Sequence, residues 1–133
     1  MLRKITYNLA RIAAAIIMCQ TLYFKFTGSP ESMYIFNMVG MDPWGRWLIG
    51  ILELVASILL FVPGKAWAGG ALTVGLMIGA IGMHLTILGI EVMGDKGQLF
   101  YYAIIVLICG SYVLLNNKSV IQEEVLPKLF KKK

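Results

Sequence analysis

Charge is scarce in this sequence. Only 14% of its residues are charged, with 12 basic and 7 acidic side chains and a single histidine. A soluble domain carries roughly 25% charged and about 45–50% apolar residues. Here 59% are hydrophobic and mean hydropathy is +0.77. The balance excludes an ordinary soluble domain and points to an integral membrane protein. Cysteine is scarce as well. Cys19 and Cys109 both sit in apolar runs and no CxxC occurs, so a thioredoxin-like redox pair is not expected. Cysteine in such a setting is more often a small hydrophobe than a reactive group. No Gly-rich phosphate loop, zinc-finger spacing or basic–aromatic repeat is present, so the net charge of +5 does not argue for nucleic acid. One histidine and scattered carboxylates do not make a metal-ligand set.

The sequence does contain four long apolar segments, over about residues 7–26, 46–62, 66–90 and 98–115. Each is near the ~20 residues needed to cross a bilayer as a helix. The basic start and apolar stretch at the N-terminus resemble a signal peptide. However, the apolar run continues to Phe26 with no small-residue cleavage pattern after it, and is read as a retained first helix. Basic residues divide unevenly between the two sides. Nine of the 12 (Arg3, Lys4, Arg11, Lys65, Lys118, Lys128 and Lys131 to Lys133) fall on the side of the termini, against Lys25, Arg46 and Lys96 on the other. The positive-inside rule then places both termini in the cytoplasm. The expected fold is an all-α, four-helix transmembrane bundle, with the bacterial inner membrane as its location.

The first outer loop carries helix signals of its own. Ser29 suits an N-cap, Pro30 the first helical position and Gly40 a stop, which predicts a short amphipathic helix over about 30–39. This helix either lies at the membrane interface or folds over the mouth of the bundle. Trp44 and Trp47 follow at headgroup depth. The tail, residues 118–133, is amphipathic and ends in three lysines, as expected of a segment resting on an anionic leaflet. In the third segment Ala68, Gly75, Gly82 and Gly89 recur every seven residues, and Gly75 and Gly79 form a small-xxx-small pair. The pattern predicts close helix packing there.

Candidate site residues gather in the outer half. Glu53 stands inside the second apolar segment, where burying a charge at the bilayer centre costs at least ~2.5 kcal/mol. The topology brings His84 of the third segment, Gln98, Tyr101 and Tyr102 of the fourth, and Gln20, Tyr23 and Lys25 of the first to the same depth. On helical phase Arg46, Gly50, Glu53 and Ser57 share one stripe, as do Met77, Ala80, His84 and Glu91. Gln20 and Lys25 stand about 140° apart on an ideal helix, so both are not expected to face one pocket. Lys25 could instead snorkel to the surface. A structural reading stands beside the functional one. Glu53 and His84 could be hydrogen-bonded helix-to-helix glue, and Tyr101 and Tyr102 could be interfacial anchors.

The stretches YFKFTGSP, NMVGMDPWGR, GILELVASILLFVPG and IGMHLTILGIE carry a family resemblance over about residues 6–116. The chain resembles the DoxX-like family of small bacterial four-helix membrane proteins. The resemblance implies that Glu53 occupies the acidic position of the second helix. It also implies that Lys25, Gly28, Gly40 and Pro43 occupy the characteristic first-helix end and loop. His84 matches a third-helix histidine that some members carry. Some relatives are small subunits of a thiosulfate:quinone oxidoreductase, and others are linked to oxidative-stress complexes.

Three classes of function are therefore expected to compete. In the first, the chain is a membrane subunit holding a quinone or similar lipophilic molecule in an outer-half polar pocket, beside a partner redox protein. Glu53 and His84 would handle protons, and Gln20, Lys25, Gln98, Tyr101 and Tyr102 would contact the ligand. In the second it is a small proton-coupled transporter, which would require oligomerisation. In the third it is a non-catalytic assembly partner.

Overall fold

The computed structural model describes residues 2–42, 44–120, 122, 123 and 127, and every regular element among them is helical. Pro43 of the expected loop motif and most of the tail lie outside the described residues. So, therefore, does the reading of the tail as a basic amphipathic segment.

Helix α1 spans Leu2–Thr27, starting five residues before the expected position, because Leu2 to Thr6 continue without a helix breaker. Helix α2 spans Pro30–Met38. The Ser29 hydroxyl accepts from the backbone N–H of Ser32 at 3.3 Å, and Gly40 follows the helix at φ +75°. Serine cap, proline entry and glycine stop thus act as their positions predict. Helix α3 covers Trp44–Leu59, and turns carry the chain from there past Pro63-Gly64. Helix α5 spans Gln98–Asn116, and α6, Lys118–Val120, is a single turn.

The third apolar segment departs from expectation. Helix α4 runs Ala66–Met83, and residues His84–Leu88 form one wider π turn rather than further α-helix to residue 90. The Thr86 hydroxyl donates back to the Gly82 carbonyl at 2.7 Å, competing with the regular backbone ladder. Gly89, at φ +79°, then stops the winding, a conformation a side chain would resist.

Among the described residues three helices are long and apolar enough to cross a membrane: Leu2–Thr27, Ala66–Leu88 with its π turn, and Gln98–Asn116. The 16 residues of α3 reach only ~24 Å at 1.5 Å per residue, short of a ~30 Å hydrocarbon core. Helix α1 packs on α3 and α5, and α4 packs on the same two, which closes a ring of four helices. The core between them holds Ala14, Met18, Ala56, Leu60, Met77, Val106 and Val113.

The ring is tight at the end carrying the chain's N-terminus and hollow at the end under α2. At the tight end a Cβ on Gly69 would stand 2.6 Å from the Leu60 backbone nitrogen, and one on Gly110 would stand 2.8 Å from Thr73 Cγ2. A Cβ on Gly70 would stand 3.2 Å from the Gly110 carbonyl oxygen. Three side-chain hydrogen bonds tie this end further. Arg3 Nε donates to Asn116 Oδ1, Asn117 Nδ2 to the Tyr7 hydroxyl and Arg11 Nη1 to the Leu60 carbonyl, all at 2.9 Å. The close helix approach expected at Gly75, Gly79 and Gly82 is therefore overturned, since a Cβ at any of these would meet nothing within 4 Å. Their stripe faces away from the contacts made by Gly69 and Gly70.

Candidate functional site

Beyond the tight end the helices enclose a cavity of about 520 Å³, with walls from α1 to α5 and the π turn. Its deeper wall is apolar, built from Ile17, Met18, Leu76, Met77, Ala103 and Val106. Its other end is polar, with Gln20, Thr21, Lys25, Glu53, His84, Gln98 and Tyr102 on the surface. A cavity with one greasy end and one hydrogen-bonding end fits an amphiphile better than an ion or a sugar.

Glu53 is 3% exposed, and both of its oxygens are engaged. Oε1 lies 2.9 Å from Lys25 Nζ, and Oε2 lies 3.0 Å from the Thr21 hydroxyl. The same hydroxyl stands 2.8 Å from the Met18 carbonyl, so its one proton serves either acceptor. Lys25 thus turns inward onto Glu53 instead of snorkelling. The pairing follows from helix geometry, since Thr21 and Lys25 are one turn apart and present the same face of α1 to α3. Burying an acid and a base together is tolerable because each compensates the charge of the other.

Arg46 completes this corner. It is buried, donates from Nε to Asp42 Oδ1 at 2.8 Å, and donates from Nη1 to the Lys25 carbonyl. That carbonyl is in the last turn of α1 and has no partner further along the helix. The expected stripe Arg46, Gly50, Glu53 and Ser57 is buried throughout.

His84 is 5% exposed and sits at the start of the π turn. Its Nδ1 lies 2.9 Å from the Gly89 carbonyl, which can only accept, so Nδ1 carries the proton. The ring meets Phe100 edge-on, with centroids 5.5 Å apart. Close to it stands a residue that the sequence reading omitted, Asp95. Its Oδ1 accepts from the backbone N–H of Val92 at 2.9 Å and of Gly97 at 2.8 Å, and its Oδ2 from Leu99 at 3.1 Å. Burial alone would push the Asp95 carboxyl up. The three backbone donors, helped by the charge interaction with His84, hold it below the ordinary carboxylate value. An Asp two residues ahead of a Gly, just before an apolar helical run, is a turn-and-cap pattern, and that signal could have found it.

The remaining site residues divide. Gln20 and Lys25 both line the cavity, against the expectation from their angular separation, because the cavity is broad enough to wrap the end of α1. Gln98 and Tyr102 line it too, one turn apart on α5, with Gln98 Nε2 donating to the Tyr102 hydroxyl at 2.8 Å. Tyr101 is 57% exposed and does not line it, and Glu91 is exposed beyond the π turn. Ser29, Ser32 and Asp95 join the wall without having been expected there. Cys19 is exposed and Cys109 half-buried, both as free thiols. No group of three His, Cys, Asp or Glu side chains among the described residues could hold a metal ion.

The DoxX family model matches residues 7–89, more than half of the chain. The chain belongs to the DoxX family. The matched span of this DoxX protein contains Gln20, Thr21, Lys25, Glu53 and His84, and ends before Asp95, Gln98 and Tyr102. Family membership and three long apolar helices make it a multi-pass membrane protein. No curated protein and no solved structure matches it.

Proposed function

We propose that this DoxX protein is a binding subunit that holds a quinone, or another lipophilic molecule with a polar head, in the cavity beneath α2. The single observation carrying this reading is the cavity's two-ended chemistry: apolar around Met18, Met77 and Val106, hydrogen-bonding around Glu53, Lys25, His84 and Gln98. The protein is a four-helix transmembrane bundle of the bacterial inner membrane in this reading, with both termini cytoplasmic. The nine basic residues on that side of the sequence support this orientation. The polar end of the cavity then lies in the outer half of the bilayer. There Glu53 and His84 would receive or return protons at the head of the ligand, and Gln20, Lys25, Gln98 and Tyr102 would position it. Electron transfer would fall to a partner redox protein.

One observation favours a second reading. Both oxygens of Glu53 are already paired within the protein, as in a residue that serves to join α1 to α3. Mass spectrometry of small molecules extracted from gently purified protein separates the two. The ligand-binding reading expects a lipophile in the wild type, depleted in both Glu53→Gln and Tyr102→Phe. Wild-type protein that is folded and empty would sink it and leave the structural reading.

A further inference from the structure

The walls of the cavity are not equally high. Gly75 and Gly79 line it and are exposed, a Cβ on either would meet nothing within 4 Å, and Ile78 on the same face of α4 is exposed without lining the cavity. The cavity therefore reaches the outer surface of the molecule across these two glycines. That surface is apolar, with Ile78 57% exposed beside them. At the polar end the situation is reversed. Helix α2 packs against α1, α3 and the π turn, buries Ser32 and Phe36, and adds Ser32, Ile35 and Phe36 to the cavity wall. The loop end is roofed while the side is open.

The distance along α4 connects the opening to the head site. Gly79 precedes His84 by five residues, ~7.5 Å of axial rise, and Gly75 extends the track by about one more turn. His84 is almost fully buried, and its Nδ1 is committed to the Gly89 carbonyl. Its Nε2 has no hydrogen-bond partner among the described residues, although the ring lines the cavity. That nitrogen is open to the cavity, where a ligand or water can supply the partner.

Charge narrows the chemistry of the head. Lys25 and Glu53 neutralise one another, and both oxygens of Asp95 are occupied by backbone donors. Beyond the exposed Glu31 carboxylate, what remains free to bind are His84 Nε2, the Gln20 amide, the Gln98 amide oxygen and the Ser32 hydroxyl. A charged head would have to break the ion pair, whereas an uncharged hydrogen-bonding head would not.

We infer that Gly75 and Gly79 form a tail-binding groove through which a bilayer amphiphile with an uncharged head enters sideways, its head at His84 and its chain across the two glycines. The inference rests on the ligand-binding reading above and adds the route and the tail subsite. A side chain at either glycine would close the groove without disturbing the helix packing, because its Cβ meets nothing within 4 Å. Gly82 provides a matched control, since a Cβ there also meets nothing within 4 Å but the residue does not line the cavity.

The test compares two probes, decyl-benzoquinone and the same quinone ring without its tail, on purified full-length protein in nanodiscs. Wild type and Gly82→Leu are expected to bind the tailed probe alike, whereas Gly79→Leu and Gly75→Leu should weaken it by about tenfold or more, equivalent to ~1.4 kcal/mol. Affinity for the tail-less ring should be unchanged in all four proteins. Equal binding of the tailed probe by every protein would overturn the groove and leave the head site standing. Failure of the wild type to bind either probe would overturn the ligand-binding reading and the groove with it. A tailed probe with a photoreactive group at the chain end provides an independent check on the wild type. It should label the α4 peptide containing Gly75 and Gly79, and labelling elsewhere would overturn the assignment.

Discussion

Arg46 and Glu53, two turns apart on α3, close on a single residue of α1. The Arg46 guanidinium donates to the main-chain carbonyl of Lys25, and the Glu53 carboxylate lies 2.9 Å from the ammonium of the same lysine. One contact satisfies a carbonyl left free at the helix end. The other neutralises the lysine ammonium on the cavity wall. The grip holds the end of α1 against the start of α3 at the level where the cavity opens.

Removing one side of the ion pair should cost more than removing both. Glu53→Gln leaves the Lys25 ammonium buried without its counter-charge, and a loss of about 3 kcal/mol is expected. The double variant Lys25→Met with Glu53→Leu should recover most of it. Thermal unfolding of the purified proteins in mild detergent measures both. A double variant less stable than Glu53→Gln would contradict the compensating pair.

Arg46→Lys tests the geometry of the guanidinium. A lysine ammonium is one point charge and cannot reproduce the fork that reaches Asp42 and the Lys25 carbonyl together. The loss of one charge-assisted hydrogen bond should cost about 2 kcal/mol. The same thermal assay would show an unshifted midpoint if the contact were incidental.

The two sets of glycines on α4 and α5 should respond oppositely to added bulk. Gly110→Val forces a side chain into Thr73, whose Cγ2 stands 2.8 Å from the new Cβ, and overpacking of this kind costs about 1–3 kcal/mol. Gly82→Ala places its methyl in open space and should be neutral. Differential scanning of the two proteins distinguishes a tight end from a loose one. Equal destabilisation would show that α4 packs along its whole length.

Asp95 contributes a pH dependence on the acid side. Its carboxyl is held below the ordinary value in the folded protein, so the folded state binds this proton less readily than the unfolded chain. Its stabilisation is therefore present above about pH 3.9, the unfolded value, and lost as pH falls through the lower folded value. Asp95→Asn should remove that dependence and lower stability at neutral pH, because the amide nitrogen that replaces one carboxylate oxygen cannot accept the backbone N–H groups that oxygen held. Unfolding midpoints followed from neutral pH downward, wild type against variant, check the sign.

Much of the architecture was legible in local pattern. Apolar length places α1, α4 and α5, and Ser29, Pro30 and Gly40 place α2 to within a residue. The stripe Arg46, Gly50, Glu53 and Ser57 is buried as its spacing implies. These signals are readable because helix phase, capping and apolar length act over a few residues of one segment. The α4 boundary was not readable in this way. The Thr86 back-bond and the His84 contact to Gly89 act against the regular ladder, and apolar composition alone does not register either.

The sequence by itself determined that the chain is helical and apolar, that an acid and a histidine lie inside it, and that polar groups gather toward one end. Tertiary structure decided which of them meet. Lys25 turns inward because Glu53 faces it across the α1–α3 contact. Tyr102 lines the cavity while Tyr101 does not, because the face of α5 turned to it carries Gln98, Leu99, Tyr102, Ala103 and Val106, and Tyr101 lies beside that face. The Gly75-xxx-Gly79 pattern is the same whether it packs a helix or opens a groove. Only the position of α4 against its neighbours, which Gly69 and Gly70 set by close approach, made it a groove, because a glycine stripe packs tightly only when another backbone is there to meet it.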